Sequence, residues 1–293
     1  PPFGIDWKRE KTQVEAEAKL GYDGRFGPGL PTISDGQMLF MLNGVKKLKE
    51  GSGRMAIIQN GSSLFTGDAG SGASEIRRYL IHEDLVEAIV QLPTDLFYNT
   101  GISTYIWVLT KGKPMNRSGR VQLIDASKCF VKRRKNIGSK RVDLSDDCID
   151  LILQAYEGFD QNEVYTADDL VVESKVFEND FFGFTKVTVE TAQADENGKP
   201  ILKRGKKQPV KGASDSEIIP LSEDIDAYMA KNVLPYNPLA YIDPAKDKIG
   251  YEIPFTRLFY KFEAPEPSAS IFEDIKTLEA KETVLMKELF GNA

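Results

Sequence analysis

The stretch that decides the fold is LPTDLFYNTGISTYIWVLTKGK, residues 92–113. Its second half, STYIWVLTKG, concentrates β-branched and aromatic side chains and predicts a strand. Its first half carries Pro93, Asp95, Asn99 and Gly101, the residues of a loop feeding that strand. Immediately upstream, DLVEAIVQLP reads as another strand, and SEIRRYLIHE before it as a helix with Ser74 as N-cap. Further back lie the glycine–serine loop GSSLFTGDAGSGAS and a short buried strand, Arg54 to Gln59. Before that strand comes GQMLFMLNGVKKLKEG, an amphipathic helix closed by Gly51. Downstream, GRVQLIDAS supplies a fourth strand. Strand–helix–strand order predicts a right-handed α/β crossover with parallel pairing. Ligands of open α/β sheets bind beyond the carboxyl ends of the strands. The loops at that end are QNGSSLF and QLPTDLFYNTG.

Past about residue 145 the pattern changes. SDDCIDLILQAYEGF reads as a helix and FFGFTKVTVETAQ alternates like a strand, while residues near 192–216 read as a mobile basic insertion. A proline-punctuated extended segment follows. The chain closes on the helix SIFEDIKTLEAKETVLMKELF. Ile271, Ile275, Leu278, Leu285 and Leu289 form a narrow seam on it, with Glu282 in the remaining position. Three heptads are short for an independent coiled coil, so the seam packs either on its own core or on a partner.

Composition narrows the chemistry. Of 293 residues, 41% are hydrophobic, enough for a packed core, yet no apolar run reaches the roughly 18 residues of a membrane-spanning helix. No membrane partner is expected. Two cysteines and a single histidine exclude a disulfide framework and a His- or Cys-rich metal site, and point to a reducing, cytoplasmic setting. His82 reads as a helix C-terminal residue, with a catalytic role as the lesser alternative. Net charge is −6, but Lys113 to Arg141 holds ten Lys or Arg against the one acid Asp125, and Lys199 to Lys211 six against none. Such stretches either meet phosphates or are solvated loops. The densest cluster is Lys132, Arg133, Arg134 and Lys135. GDAGSG, residues 67–72, fits neither strict phosphate-binding glycine pattern and reads as a loop entering a helix.

The chain opens on Pro1-Pro2-Phe3. About 50 residues later come a helix, a strand and NGSSLF, and then the 92–113 stretch. This combination resembles the adenine-specific DNA methyltransferases, most closely the modification subunit of type I restriction–modification systems. RFGPGLP, LIDAS and IGYEIPFTRLFYKF strengthen the resemblance, which covers essentially the whole chain. It implies the later part of a Rossmann-like class I S-adenosylmethionine-dependent methyltransferase sheet, followed by an irregular α+β region and a C-terminal helix. The implied division is residues 1–145 for the catalytic portion, 146–264 for the α+β region and 265–293 for a partner-docking helix.

The implied chemistry is methyl transfer from S-adenosylmethionine to the exocyclic amine of adenine in DNA, which requires the base to leave the stack. In that family an Asn and the carbonyl after it accept hydrogen bonds from the amine. Carried over, Pro1 supplies the carbonyl, Pro2 its rigidity and Phe3 a stacking face, with the Asn preceding Pro1. The family's donor-binding elements also lie upstream of this motif, so the 293-residue chain is expected to be inactive alone. One of Phe97 and Tyr98 is expected against the base, the other outcome being hairpin packing. Asn60 and Gly61 either line the pocket or make a turn. Arg25, beside Phe26, is placed to reach DNA or a neighbouring subunit. The implied partners are DNA, the specificity and restriction subunits, and a second modification subunit. A different class remains open, a non-catalytic assembly module docking on the specificity subunit. A nucleotide-dependent oxidoreductase suits the α/β order but lacks a glycine fingerprint.

Overall fold

A computed structural model describes residues 1–262 and 264–291. It divides into two units, Pro1–Phe255 and Thr256–Ala293. In chain order, the first unit begins with α1 (Lys11–Ala18), α2 (Gln37–Lys47), β1 (Arg54–Asn60), α3 (Ser62–Phe65) and α4 (Gly72–His82). Then come β2 (Val86–Gln91), β3 (Thr104–Thr110), β4 (Arg120–Asp125), the hairpin β5 (Val131–Ile137) and β6 (Lys140–Asp143), and α5 (Asp146–Gly158). β7 (Asn162–Ala167) and β8 (Leu170–Glu178) precede β9 (Gly183–Ala192), the two-residue strands β10 (Leu202–Lys203) and β11 (Lys206–Lys207), and β12 (Pro209–Pro220). The unit ends through α6 (Ile225–Tyr228), β13 (Ala240–Ile242) and β14 (Lys248–Tyr251).

The principal sheet has six strands in the order β1-β3-β2-β4-β8-β7. β2 and β4 pair in parallel, whereas β3 runs antiparallel between β1 and β2. The expected direct parallel pairing across the first crossover is therefore corrected. β1 and β2 do point the same way, but β3 inserts between them. The 92–103 loop holds no helix to carry β3 across the sheet for a parallel return, so β3 comes back antiparallel. The sheet also runs through residue 145, because β8 pairs with β4 and β7 with β8. Val90, Ile124, Cys129, Cys148, Leu151 and Ala155 pack on the α5 face, with Ile106 against them. Trp107 points to the other face, where its indole N–H donates to Ser63 Oγ of α3 (3.2 Å). A second sheet centres on β9, which pairs with β12, β13 and β14.

Local signals explain the helix ends. Ser145 caps α5 by accepting the Cys148 N–H. The expected cap of α4 shifts from Ser74 to Ser71, whose extended backbone lets Oγ accept the Ser74 N–H at 3.4 Å. The Ser74 hydroxyl accepts from Tyr251 N–H instead (2.9 Å). α2 ends at Lys47, ahead of the expected Gly51, which takes φ +71° in the turn to β1. The GDAGSG loop packs closely at its end. A Cβ on Gly72 would lie 1.8 Å from Leu30 O, so RFGPGLP and this loop meet backbone to backbone.

Two buried arginines tie the first unit together. Arg77 is 0% exposed and donates to Tyr251 O (2.6 Å) and Ser63 O (3.3 Å). Burial lowers its pKa to about 10. Arg117 and Glu87 are also buried, 3.7 Å apart, with Arg54 on the same carboxylate at 3.0 Å. The Tyr156 hydroxyl donates to Glu87 as well, and burial followed by that bond raises its pKa to about 12. A short helix α7 spans Phe255–Phe259, and α8 (Ser268–Phe290) in the second unit is a 23-residue helix. No helix among the described residues is long and apolar enough to cross a membrane.

Arg77→Met should destabilise the first unit by about 2–4 kcal/mol, because two buried carbonyls lose their donor. Urea unfolding followed by circular dichroism measures it. A change under about 1 kcal/mol, the worth of one ordinary hydrogen bond, would show that these bonds are not structural.

Candidate base-binding cleft

The strand directions place the site. β1 and β2 deliver their carboxyl ends to the end of the sheet where β3 starts, with Asn60 opposite Thr104 and Gln91 opposite Tyr105. The loops after β1 and β2 therefore lie side by side. The 92–103 loop folds into its own small hairpin, with a bridge between Phe97 and Thr100. Phe97 packs against the α5-side core while Tyr98 is 58% exposed.

The N-terminal segment is brought to the same end by Trp7, which is 6% exposed. Its backbone N–H donates to Ile33 O (3.1 Å) and its indole N–H to Thr32 O (2.9 Å), while Gly36 N–H donates to Ile5 O (3.1 Å). With residues 5–7 stitched to 32–36, Pro1, Pro2 and Phe3 line a cleft of about 900 Å³ together with Ile58, Asn60, Phe97, Tyr98 and Ile102. Six of the residues singled out in the sequence thus share one cleft. Gly61 is next to it in the chain but not in its lining. Among the described residues, no side chain lining the cleft is charged. Apolar walls, three aromatic rings and the two amides of Asn60 and Asn99 suit a flat, uncharged heteroaromatic ring.

Arg25 lies elsewhere. It lines a neighbouring recess of about 440 Å³ with Trp7, Glu17 and Asn43. Its guanidinium is held by Glu17, with Nε donating to Oε1 at 2.7 Å, and by Asn43 Oδ1 at 3.1 Å. The hydrogen bonds from Arg25 hold the Glu17 carboxyl down at about 2. Arg25 is thus engaged by residues of α1 and α2, and Phe26 is buried. His82 is the last residue of α4, with a largely exposed side chain.

The cluster Lys132–Lys135 falls on β5, whose hairpin is fastened to the cleft loop. Ser139 N–H donates to Tyr98 O (2.9 Å) and Arg141 N–H to Asp95 O (2.8 Å). Gly138 sits in the turn at φ +59°, where a Cβ would lie 2.6 Å from Tyr98 O. Lys140 Nζ stands 5.6 Å over the Tyr98 ring. Lys132, Arg134 and Lys135 are exposed, while Arg133 pairs with Asp143. Positive charge thus stands beside an uncharged cleft. Composition located the charge, but only the folded hairpin attaches it to the Phe97–Tyr98 loop.

Sequence reading missed Gln37. It is 1% exposed at the start of α2 and contacts Asn60, Asp35 and Ser62. As one polar residue on an apolar helix face it gave no periodic signal.

Relatives of the chain define its class. The N-6 DNA Methylase family matches residues 1–197, and the chain belongs to that family. Within it, the similar proteins are modification subunits of type I restriction–modification systems. The chain is 32% identical over 113 residues to the type I restriction enzyme MjaVII methylase subunit of Methanocaldococcus jannaschii, covering 39% of this chain and 19% of that protein. It is 27% identical over 187 residues to the HindI methylase subunit of Haemophilus influenzae, covering 63% and 41%. The solved type I methyltransferase subunit from Streptococcus thermophilus aligns at 27% identity and a TM-score of 0.49, over 62% of this chain and 34% of that one. The chain spans well under half the length of these relatives.

Replacing Lys132, Arg134 and Lys135 with Ala should weaken DNA binding by the complete modification complex to a similar degree for cognate and unrelated sequences. It should also reduce the salt slope of log K by about 0.9 for each phosphate that is no longer neutralised. Fluorescence anisotropy across a salt series measures this. An unchanged slope would remove the hairpin from the DNA surface.

Proposed function

We propose that this chain forms the base-receiving part of a type I modification subunit, which methylates the exocyclic amine of adenine in DNA. The observation that carries this reading is the single uncharged cleft in which Pro1–Phe3 meet Phe97 and Tyr98 beside a basic hairpin. The aromatic rings stack on the extruded base, and the hairpin holds the phosphates on either side of it. The Pro1 carbonyl accepts a hydrogen bond from the amine. The rigid Pro1–Pro2 pair keeps that carbonyl's direction fixed, so little orientation is lost at the reacting atom.

S-adenosylmethionine is the methyl donor the family implies. The cleft lining does not fit it, because it offers no carboxylate for ribose hydroxyls or an amino group. The residues of this cleft therefore bind and orient the acceptor base. Specificity and restriction subunits, a second modification subunit and DNA are the partners of the assembled system.

A second reading, assembly by docking, rests on α8. Its seam residues Ile271, Ile275, Leu278, Leu285 and Leu289 are 44%, 47%, 63%, 56% and 74% exposed. Phe272, Val284, Met286 and Phe290 beside the seam are exposed as well, and an apolar helix surface of this kind suits a helical partner. The two readings are compatible in one subunit.

Phe3→Ala in the complete complex should slow methylation about 5- to 150-fold, the worth of one base–aromatic stack, with folding preserved. Single-turnover transfer of a labelled methyl group measures it. Unchanged turnover in a folded variant would remove Phe3 from the site.

Leu278→Asp with Leu285→Asp should leave the first unit folded and abolish assembly with the specificity subunit. Size-exclusion chromatography with light scattering reads this. Full assembly by the double variant would place docking elsewhere.

A further inference from the structure

Asn60 ends β1 at the cleft, and its amide is held in one orientation. The Ser62 backbone N–H lies 3.0 Å from one side-chain atom of Asn60. A backbone N–H can only donate, so that atom is Oδ1 and the other is Nδ2. The same logic fixes Gln37, whose Oε1 accepts the Asn60 backbone N–H at 3.1 Å. Gln37 Nε2 then donates to Asn60 Oδ1 and to Asp35 Oδ2, each at 2.7 Å. The Ser62 hydroxyl also lies within reach of Asp35 Oδ2 (2.9 Å). Oδ1 is thereby saturated from the protein side. Nδ2 makes no hydrogen bond among the described residues, and Asn60 lines the cleft.

The strand register adds a second observation. Thr104 lies directly opposite Asn60, on the same face of the sheet. It is 0% exposed, and its Oγ1 has no hydrogen-bond partner among the described residues. A buried polar atom without a partner is costly unless a ligand or water satisfies it. The cleft therefore presents one oriented donor, Asn60 Nδ2, while the unsatisfied Thr104 hydroxyl is buried beside it, outside the lining. The faces of a purine meet rings, and its edge meets this donor.

We propose that Asn60 donates its Nδ2–H to a ring nitrogen flanking the amine of the extruded adenine, with Gln37 as the positioning residue that fixes the amide. A neutral ring nitrogen is an acceptor, and the two nitrogens flanking the amine are N1 and N7. Guanine carries a protonated N1 at that edge, so an N1 contact would also select adenine over guanine. The inference rests on the base-receiving reading given above.

The test is single-turnover methylation by the complete modification complex on DNA carrying adenine, 1-deazaadenine or 7-deazaadenine at the target. Asn60→Ala should slow transfer to adenine about tenfold, the size of one missing hydrogen bond. It should cause no further slowing on the analogue that lacks the accepting nitrogen. Asn60→Asp, which replaces the donor by a carboxylate, should slow adenine transfer more than Asn60→Ala. Gln37→Met should show the same substrate dependence with a smaller factor, and it stands in if Asn60→Ala does not fold, as judged by thermal melting. Equal slowing on all three substrates, or no slowing on any, overturns the inference. If the unaltered complex fails to methylate adenine, the base-receiving reading falls and this inference falls with it. If the unaltered complex is active and only the variants behave otherwise, this inference alone falls.

Discussion

The antiparallel pairing of β3 between β1 and β2 is the constraint on which the site depends. Its register sets Asn60 opposite Thr104 and Gln91 opposite Tyr105. It is locked by Trp107 and Leu109, both 0% exposed. A slip of one residue would turn the buried indole to the other face. Because β1 and β2 both end where β3 begins, their following loops converge with no further device. The Trp7 seam adds the third wall by tying residues 5–7 to 32–36. The cleft is thus made by strand geometry, and its side chains are supplied by three separate segments.

Charge and shape are kept apart in this arrangement. Buried charges such as Arg77, Arg117 and Glu87, the last also held by exposed Arg54, tie elements together away from the cleft lining. The cleft has no charged side chain among the described residues, while the adjoining hairpin carries exposed Lys132, Arg134 and Lys135. Phosphate contacts position a nucleic acid without reading sequence, whereas an uncharged aromatic cleft takes one base at a time. The overall charge of −6 obscures this division, since it averages the basic stretches with an acidic remainder.

Much of this was legible in the sequence. β-Branched and aromatic runs marked β1, β2, β3 and β4, and Pro-Pro-Phe with the 92–113 stretch marked the family. Six of the named site residues came to line one cleft, although their roles rest on the functional proposal. What the sequence did not carry was long-range. Period-2 patterning finds strands but does not order them, so the insertion of β3 between β1 and β2 was missed. Ser74 and Ser71 both suit a cap, and the choice depends on Tyr251, far along the chain, claiming the Ser74 hydroxyl. Arg25 looked available in a glycine-rich loop, but Glu17, a helix away, engages it. Gln37 had no sequence signature because its meaning lies in Asn60, which only the fold brings to it.

The claim that this cleft receives the target base is tested most directly by photocrosslinking. DNA carrying 5-iodouracil in place of the target adenine would be bound to the complete modification complex, irradiated and mapped by peptide mass spectrometry. The account predicts attachment at Phe3, Phe97 or Tyr98, with loss of the signal when the halogenated base is moved to a neighbouring position. Attachment in the recess around Trp7 and Arg25, or anywhere outside the cleft, would contradict it.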